Sequence, residues 1–340
     1  MKVLKYIEPR KMEIADLPRP EIVDGQVLIQ TRACGVCATD VKTFMRGHPL
    51  IKPGSILGHE MSGVIAESRA PGWQVGERVV VAPYISCGEC EYCARGQFSL
   101  CKNLWNASVA PGGFSEFICV PEFLVQTGMY RLPAQLDFAT ATLAEPLACC
   151  YHGLELIDLR RGDSLLIIGD GPMGLMQAMI ARALGASPIV LAGMTPERLT
   201  IGARYADHIV NVANEPLPDA VKRLSNGKGI SKVMVSVGQA QVAEDAVALA
   251  KRGGAVNFFA GLPSGSRISV DPNHIHYNEI LLTGSFGFGA PHFKRAVEAL
   301  TRGELDTTGL ITRLVALEEL SGAFADSAAY LGVKTVAVFD

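Results

Sequence analysis

The 340-residue sequence predicts an α/β protein of two modules: a β-rich, barrel-like one up to about residue 150 and a doubly wound parallel sheet after it. Three observations carry that prediction. The length exceeds one typical core and suits two domains of roughly 100–200 residues. Short β-rich runs between Gly and Pro turns fill the first part, and strand–helix alternation fills the rest. A glycine-rich turn follows directly on the first strand of that second part.

The first part is marked by the runs Gln26–Ala33, Gly63–Ala66 and Arg78–Ala82. From Arg161 the texture changes. Ser164–Ile168 reads as a strand, and Pro172–Leu184 as a helix closed by Gly185, with proline and glycine where a helix start and stop favour them. Ile189–Leu191, a helix capped by Thr195 and opened by Pro196, His208–Val212, Lys232–Val237, a helix near Val242–Ala250, Ala255–Phe259 and Ile280–Thr283 complete the alternation. Such a series implies a parallel sheet with helices on both faces. No internal repeat or low-complexity run is present.

Composition narrows the function classes. Apolar residues make up 49% and charged ones 19%, the balance of a chain that buries a sizeable core. With 34 acidic and 31 basic residues the net charge is −3, which offers nothing to a phosphate-rich partner, so no nucleic acid is expected. Charges interrupt Met1–Pro9 and no run approaches ~18 apolar residues, so no membrane partner is expected and the protein reads as cytoplasmic. In that compartment nine cysteines are not expected to form a disulfide framework; their spacing must decide their use.

The glycine turn is Gly169-Asp170-Gly171-Pro172-Met173-Gly174, a G-x-G-x-x-G between strand and helix. The first glycine permits the turn, the second lets backbone approach a pyrophosphate, and the third lets helix pack on strand, while the helix N-terminus favours the anion. At this position the motif predicts dinucleotide binding. A dinucleotide-binding unit usually carries an acidic residue about 20 residues on, for the ribose 2′-hydroxyl of NAD. Gly193 stands there instead, with Thr195 and Arg198 following as a donor and a positive charge. Between NAD and NADP the balance favours NADP, and Glu197 reads as a solvated first-turn residue.

Cys87, Cys90, Cys93 and Cys101 form C-x2-C-x2-C-x7-C, four soft thiolates of the kind that close a tetrahedral structural zinc site. Glu89 and Glu91 inside the loop argue against a nucleic-acid zinc ribbon. A second site has to be assembled from separate segments: Gly35-Val36-Cys37-Ala38-Thr39-Asp40, Gly58-His59-Glu60 and Glu145-Pro146-Leu147-Ala148. Each holds a ligand type that zinc accepts, although any one alone is ordinarily structural or solvated.

In this order the motifs resemble the zinc-containing medium-chain dehydrogenases, the family of alcohol, sorbitol and threonine dehydrogenases. The likeness runs from Gln26 to the C-terminus and includes Gly112-Gly113-Phe114-Ser115-Glu116-Phe117, similar to the family's G-G-F-x-E segment. It implies a GroES-like distorted β-barrel catalytic domain (1–150 and 288–340), a Rossmann domain (151–287) and an active site in the cleft. It also implies two zinc ions per chain. Cys37 and His59 would ligate the catalytic one, Glu60 and Glu145 would supply the remaining carboxylate directly or through water, and Asp40 would orient His59. Thr39 would pass the substrate's proton outward while hydride moves to the nicotinamide.

A glutamate at 145, where simple alcohol dehydrogenases have cysteine, is similar to the polyol, sugar and threonine branch. The implied substrate is a small polyol or sugar-like secondary alcohol. Lys42 stands where the family often has a relay histidine, and Ser285-Phe286-Gly287-Phe288-Gly289 lacks the arginine and tyrosine of sorbitol dehydrogenases, so sorbitol itself is not implied. Lys42 and His48 read as solvated, while Cys34, Cys149, Cys150 and His152 read as packing residues. The family's habit implies a homodimer or homotetramer. Two other readings are an NADPH-dependent carbonyl reductase with the same residues and a catalytically inactive dinucleotide-binding sensor; the presence of Thr39, Cys37, His59, Glu60 and Glu145 together speaks against the sensor.

Overall fold

In the computed structural model, which describes residues 1–340, the chain begins with a hairpin that the turn pattern does not signal, β1 (Lys2–Glu8) against β2 (Lys11–Asp16). Five further strands follow: β3 (Val27–Gly35), β4 (Glu60–Ser68), β5 (Arg78–Val81), β6 (Phe117–Val120) and β7 (Met129–Arg131). Helices α1 (Ala38–Arg46), α2 (Glu122–Thr127) and α3 (Phe138–Ala141) lie between and after them. Strand β3 is the hub. It pairs antiparallel with both β4 and β6, and seven of its nine residues are buried, as a strand covered on both faces must be.

Helix α4 (Ala144–Leu156) carries the chain from one compact unit, Met1–Ala148 with Phe288–Asp340, into the other, Cys149–Gly287. The second unit holds β8 (Leu165–Ile168), α5 (Pro172–Ala183), β9 (Ile189–Gly193), α6 (Pro196–Gly202), β10 (His208–Asn211), α7 (Leu217–Leu224), β11 (Ile230–Val235), α8 (Ala240–Ala248), β12 (Ala250–Phe258), α9 (Pro272–Asn278) and β13 (Leu281–Gly284). Its six strands are all parallel, in the order β10-β9-β8-β11-β12-β13. That is the doubly wound order with its reversal beside β8, the place where such sheets bind ligands at the carboxyl ends of their strands. Leu166, Ile168, Val190, Val233, Val235 and Val256 form one buried face, each contributing roughly 1.5–3 kcal/mol by leaving water.

Three elements here depart from the sequence reading. The helix expected to run to Ala250 stops at Ala248, because Ala250 already pairs with Ile230 as the start of β12. Helices α7 and α9 have no counterpart in the sequence reading; in the fold Pro218 and Pro272 occupy their first turns, where proline's missing N–H costs nothing.

The chain then returns to the first unit through α10 (Ala290–Thr301), β14 (Ile311–Val315), α11 (Leu320–Ala328) and β15 (Lys334–Val338). Strand β15 pairs antiparallel with β3, Val336 opposite Gly35 and Ala337 opposite Cys34. The sheet so completed runs β14-β15-β3-β4-β5-β7, with β6 also on β3. No helix is long and apolar enough to cross a membrane.

Candidate metal centres and dinucleotide loop

The register of β3 against β4 places Gly35 opposite Glu60, and that pairing brings two distant segments into one site. Beyond Gly35 the chain turns into α1 with Cys37 as its N-cap: the Cys37 sulfur accepts from Thr39 N, and Asp40 reaches back to accept from Cys37 N at 2.9 Å. The other oxygen of Asp40 accepts from Gly58 N at 3.4 Å and lies 3.7 Å from His59 Nδ1. One buried carboxylate therefore ties the Cys37 turn to the His59 turn.

The G-G-F segment fixes the His59 turn from its other side. Gly113 N donates to Gly58 O at 2.8 Å and Phe114 N to Leu57 O at 2.9 Å. Only glycine fits at 58: its φ is +85°, and a Cβ would meet Cys34 Sγ and Phe114 N at 2.8 Å. Cys34 is fully buried in this packing, and burial raises its thiol pKa well above the ordinary value.

The result is a cluster in which ligand atoms of Cys37, His59 and Glu60 lie within 4.8 Å of one another. Glu145, in the first turn of α4 and buried, is outside that trio, but its charge reaches both His59 and Lys334. Thr39 is exposed at the mouth of the α1 turn. Lys42 is exposed, and His48 accepts from Leu50 N in a loop. His152, in the other unit, contacts Gly287 O at 3.0 Å.

Lys334 is a site residue that sequence reasoning missed. From the first position of β15 it donates to Glu60 Oε1 at 2.6 Å and to Val36 O at 2.9 Å, with only 3% of its side chain exposed. Glu60 Oε2 also lies 2.5 Å from the ammonium, and this carboxylate packs where a side chain on Gly35 would stand, 1.9 Å from a Cβ there. The available signal was a lysine opening the apolar run Lys334-Thr335-Val336-Ala337-Val338.

Burial opposes the charged form of His59, yet the charges of Asp40 and Cys37 outweigh it and hold the imidazole well above its ordinary pKa. Lys334 is likewise raised, burial being overcome by Glu60 and Cys37. Two basic groups pulled toward their cationic forms report a strongly negative enclosure. A divalent cation suits that potential, and thiolate, imidazole and carboxylate are the donor set that catalytic zinc takes, with a position left open for substrate.

The cysteine lobe is built locally. Two short 3-10 turns, Cys93–Arg95 and Phe98–Leu100, curl the loop so that Cys90 and Cys93 sulfurs stand 3.5 Å apart and Cys87 and Cys101 sulfurs 3.5 Å apart. Tetrahedral thiolates at the usual zinc–sulfur length of ~2.3 Å are separated by about 3.8 Å, so the four side chains fit that ion. Backbone N–H groups prepare the sulfurs: those of Cys93 and Lys102 lower Cys90 to about 6. Burial pushes Cys93 up to about 12, the crowding that a bound cation relieves.

In the second unit Gly169 (φ +128°) ends β8, Gly171 is the N-cap of α5, and Pro172 opens the helix. Nothing lies within 4 Å of a Cβ on Gly171, so backbone is open to a ligand there. A Cβ on Gly174 would stand 1.8 Å from Gly169 O, so that glycine serves helix–strand packing. Met173 is the helix residue whose carbonyl accepts from Cys150 Sγ at 3.6 Å. These features fit a pyrophosphate. The space beside Gly193 is not vacant, however: the Asp170 side chain fills it, and Arg198, expected as an accessible cation, is 6% exposed.

Comparison with known proteins agrees with this chemistry. Residues 23–129 match the alcohol dehydrogenase GroES-like domain family, and residues 172–302 match the zinc-binding dehydrogenase family. The chain is 31% identical over 331 residues to the sorbitol dehydrogenase of Bacillus subtilis, covering 95% of this chain and 92% of that enzyme. To the L-threonine 3-dehydrogenase of Rhizobium etli it is 28% identical over 333 residues, covering 95% and 94%. Among solved structures, a Sinorhizobium meliloti protein described as a zinc-binding dehydrogenase and bound to NADP matches with a TM-score of 0.90 at 28% identity, over 99% of each chain.

Proposed function

Given that this chain belongs to the zinc-containing medium-chain alcohol dehydrogenase family, we propose that it transfers hydride between a secondary hydroxyl of a small polyol or sugar-like substrate and a nicotinamide dinucleotide. The observation that carries the reading is the convergence of Cys37, His59 and Glu60 within 4.8 Å from separate turns of the first unit. Polyol chemistry is favoured by Glu145 beside the site and by the likeness to a sorbitol dehydrogenase.

Cys37 and His59 would hold the catalytic zinc, with Glu60 or Glu145 supplying the remaining carboxylate directly or through water; Glu60 lies within 4.8 Å of the other two, and the charge of Glu145 reaches His59. Bound there, zinc supplies Lewis-acid polarisation of the substrate oxygen. Asp40 holds both ligand turns in register and keeps the His59 ring oriented. Lys334 anchors Glu60, limiting how far that carboxylate travels. Thr39, exposed two residues beyond Cys37, receives the hydroxyl proton and hands it outward. Gly169, Gly171, Pro172, Met173 and Gly174 hold the pyrophosphate on the N-terminus of α5. The second zinc staples the loop of Cys87, Cys90, Cys93 and Cys101. The working form is a cytoplasmic homo-oligomer, a dimer or tetramer.

The test is metal content per chain together with NAD and NADP reduction over polyols, sugars and simple secondary alcohols, before and after chelation. Two zincs and turnover abolished by chelator are expected. One zinc with no turnover on any substrate would overturn the reading and favour a metal-stapled dinucleotide-binding sensor.

A further inference from the structure

Strand β9 ends at Gly193, the position from which a dinucleotide-binding unit usually extends a carboxylate to the adenosine ribose. The carboxylate is not missing from the place; it arrives from another segment. A Cβ built on Gly193 would lie 2.4 Å from both Cβ and Cγ of Asp170 and 2.5 Å from its Oδ2. Asp170 is the second residue of the glycine loop and is 8% exposed. Its Oδ2 accepts from Met194 N at 3.0 Å and from Thr195 N at 2.6 Å, the first two amides beyond the end of β9. Both bonds use the same oxygen, which leaves Oδ1 as an acceptor.

We propose that Asp170 makes this protein selective for NAD over NADP, supplying from the glycine loop the ribose-binding carboxylate that β9 lacks. The proposal rests on the dinucleotide reading of that loop and reverses the preference for NADP that Gly193, Thr195 and Arg198 suggest when read in sequence alone.

Three physical points support it. A ribose diol donates hydrogen bonds, so a fixed carboxylate acceptor suits it. A 2′-phosphate carries about −1.5 to −2 charges and would meet a carboxylate of the same sign in a partly desolvated place. The phosphate also needs donors, and the two backbone N–H groups best placed for it, those of Met194 and Thr195, are already committed to Asp170. Arg198, the nearby cation that could offset the repulsion, is itself buried. Gly193 thus takes on a different meaning: it is the residue that makes room for Asp170 rather than for a phosphate.

The experiment is equilibrium binding of NADH and of NADPH to the full-length zinc-loaded protein, read by nicotinamide fluorescence, for the wild type, D170N and D170G/G193D. Asparagine keeps an acceptor for the two amides and removes only the charge; the double variant returns the carboxylate to the strand end, with the space it needs. The wild type is expected to bind NADH at least about tenfold more tightly than NADPH, the scale of a single charge contact. D170N should narrow that ratio mainly by tightening NADPH, with the melting temperature unchanged, and D170G/G193D should restore it. Wild-type protein that binds NADPH as tightly as NADH would overturn the proposal. A ratio unmoved in D170N would reduce Asp170 to a brace of the turn, and D170N alone decides the matter if the double variant does not fold. Folded protein that binds neither nucleotide would instead overturn the dinucleotide reading on which the proposal stands.

Discussion

Replacing Lys334 by methionine tests the electrostatic account of the candidate metal site. The ammonium and the Glu60 carboxylate are 3% and 1% exposed, so neither has water to fall back on once its partner is gone. Removing one member of a buried pair costs about 3–5 kcal/mol, most of it the uncompensated charge that remains. Methionine also leaves Val36 O without the donor it has at 2.9 Å. At roughly 2–4 °C per kcal/mol for a unit of this size, the melting temperature of metal-free K334M should fall by about 6–20 °C. Zinc held by Cys37 and His59 would offer Glu60 another cation, so the zinc-loaded variant should lose distinctly less. In K334M/E60L both charges are gone, and stability should return toward the wild type, since buried pairs are often replaceable by apolar residues of similar volume. Thermal melts of the three proteins, with and without zinc, are the assay. If K334M melts with the wild type, or the double variant is no better than the single, the pair does not anchor Glu60 as argued.

Other consequences are equally direct. C101S should lower zinc content by one equivalent per chain, because Cys101 pairs with Cys87 at 3.5 Å in the four-sulfur lobe; elemental analysis decides it, and unchanged content would remove the lobe as a metal site. G174A forces a Cβ toward Gly169 O, an overpacking that costs on the order of 1–3 kcal/mol, and should weaken NADH binding while both metals stay; unchanged binding would separate the loop from the cofactor. Asp207 is held below the usual carboxylate range: burial raises it, but the Ile189 N–H and the Arg182 guanidinium, each at 2.7 Å, prevail. A carboxyl with a depressed folded-state pKa contributes stability that is present above its unfolded value of ~3.9 and is lost as pH falls through the folded value. D207N should therefore cost stability at pH 7 and little at the acid end of a denaturation series, whereas a cost independent of pH would contradict the assignment.

The sequence by itself determined what is held in short stretches of chain. The four cysteines lie within one loop, so their spacing already dictates that they meet, and the glycine turn between β8 and α5 is fixed by backbone freedom at consecutive positions. Strand–helix alternation likewise dictated a parallel sheet, because parallel strands require a crossover between them. The N-terminal hairpin and the proline-opened helices α7 and α9 escaped because their cues are shared with loops. What tertiary structure alone decided is which side chains from remote segments share one space. Lys334 meets Glu60 across 274 residues because β15 happens to lie beside β3, and Asp170 fills the place left by Gly193 because adjoining strand ends converge. A residue letter states which charge is available; the partner that gives the charge its function is set by strand register and by the space a neighbouring glycine leaves.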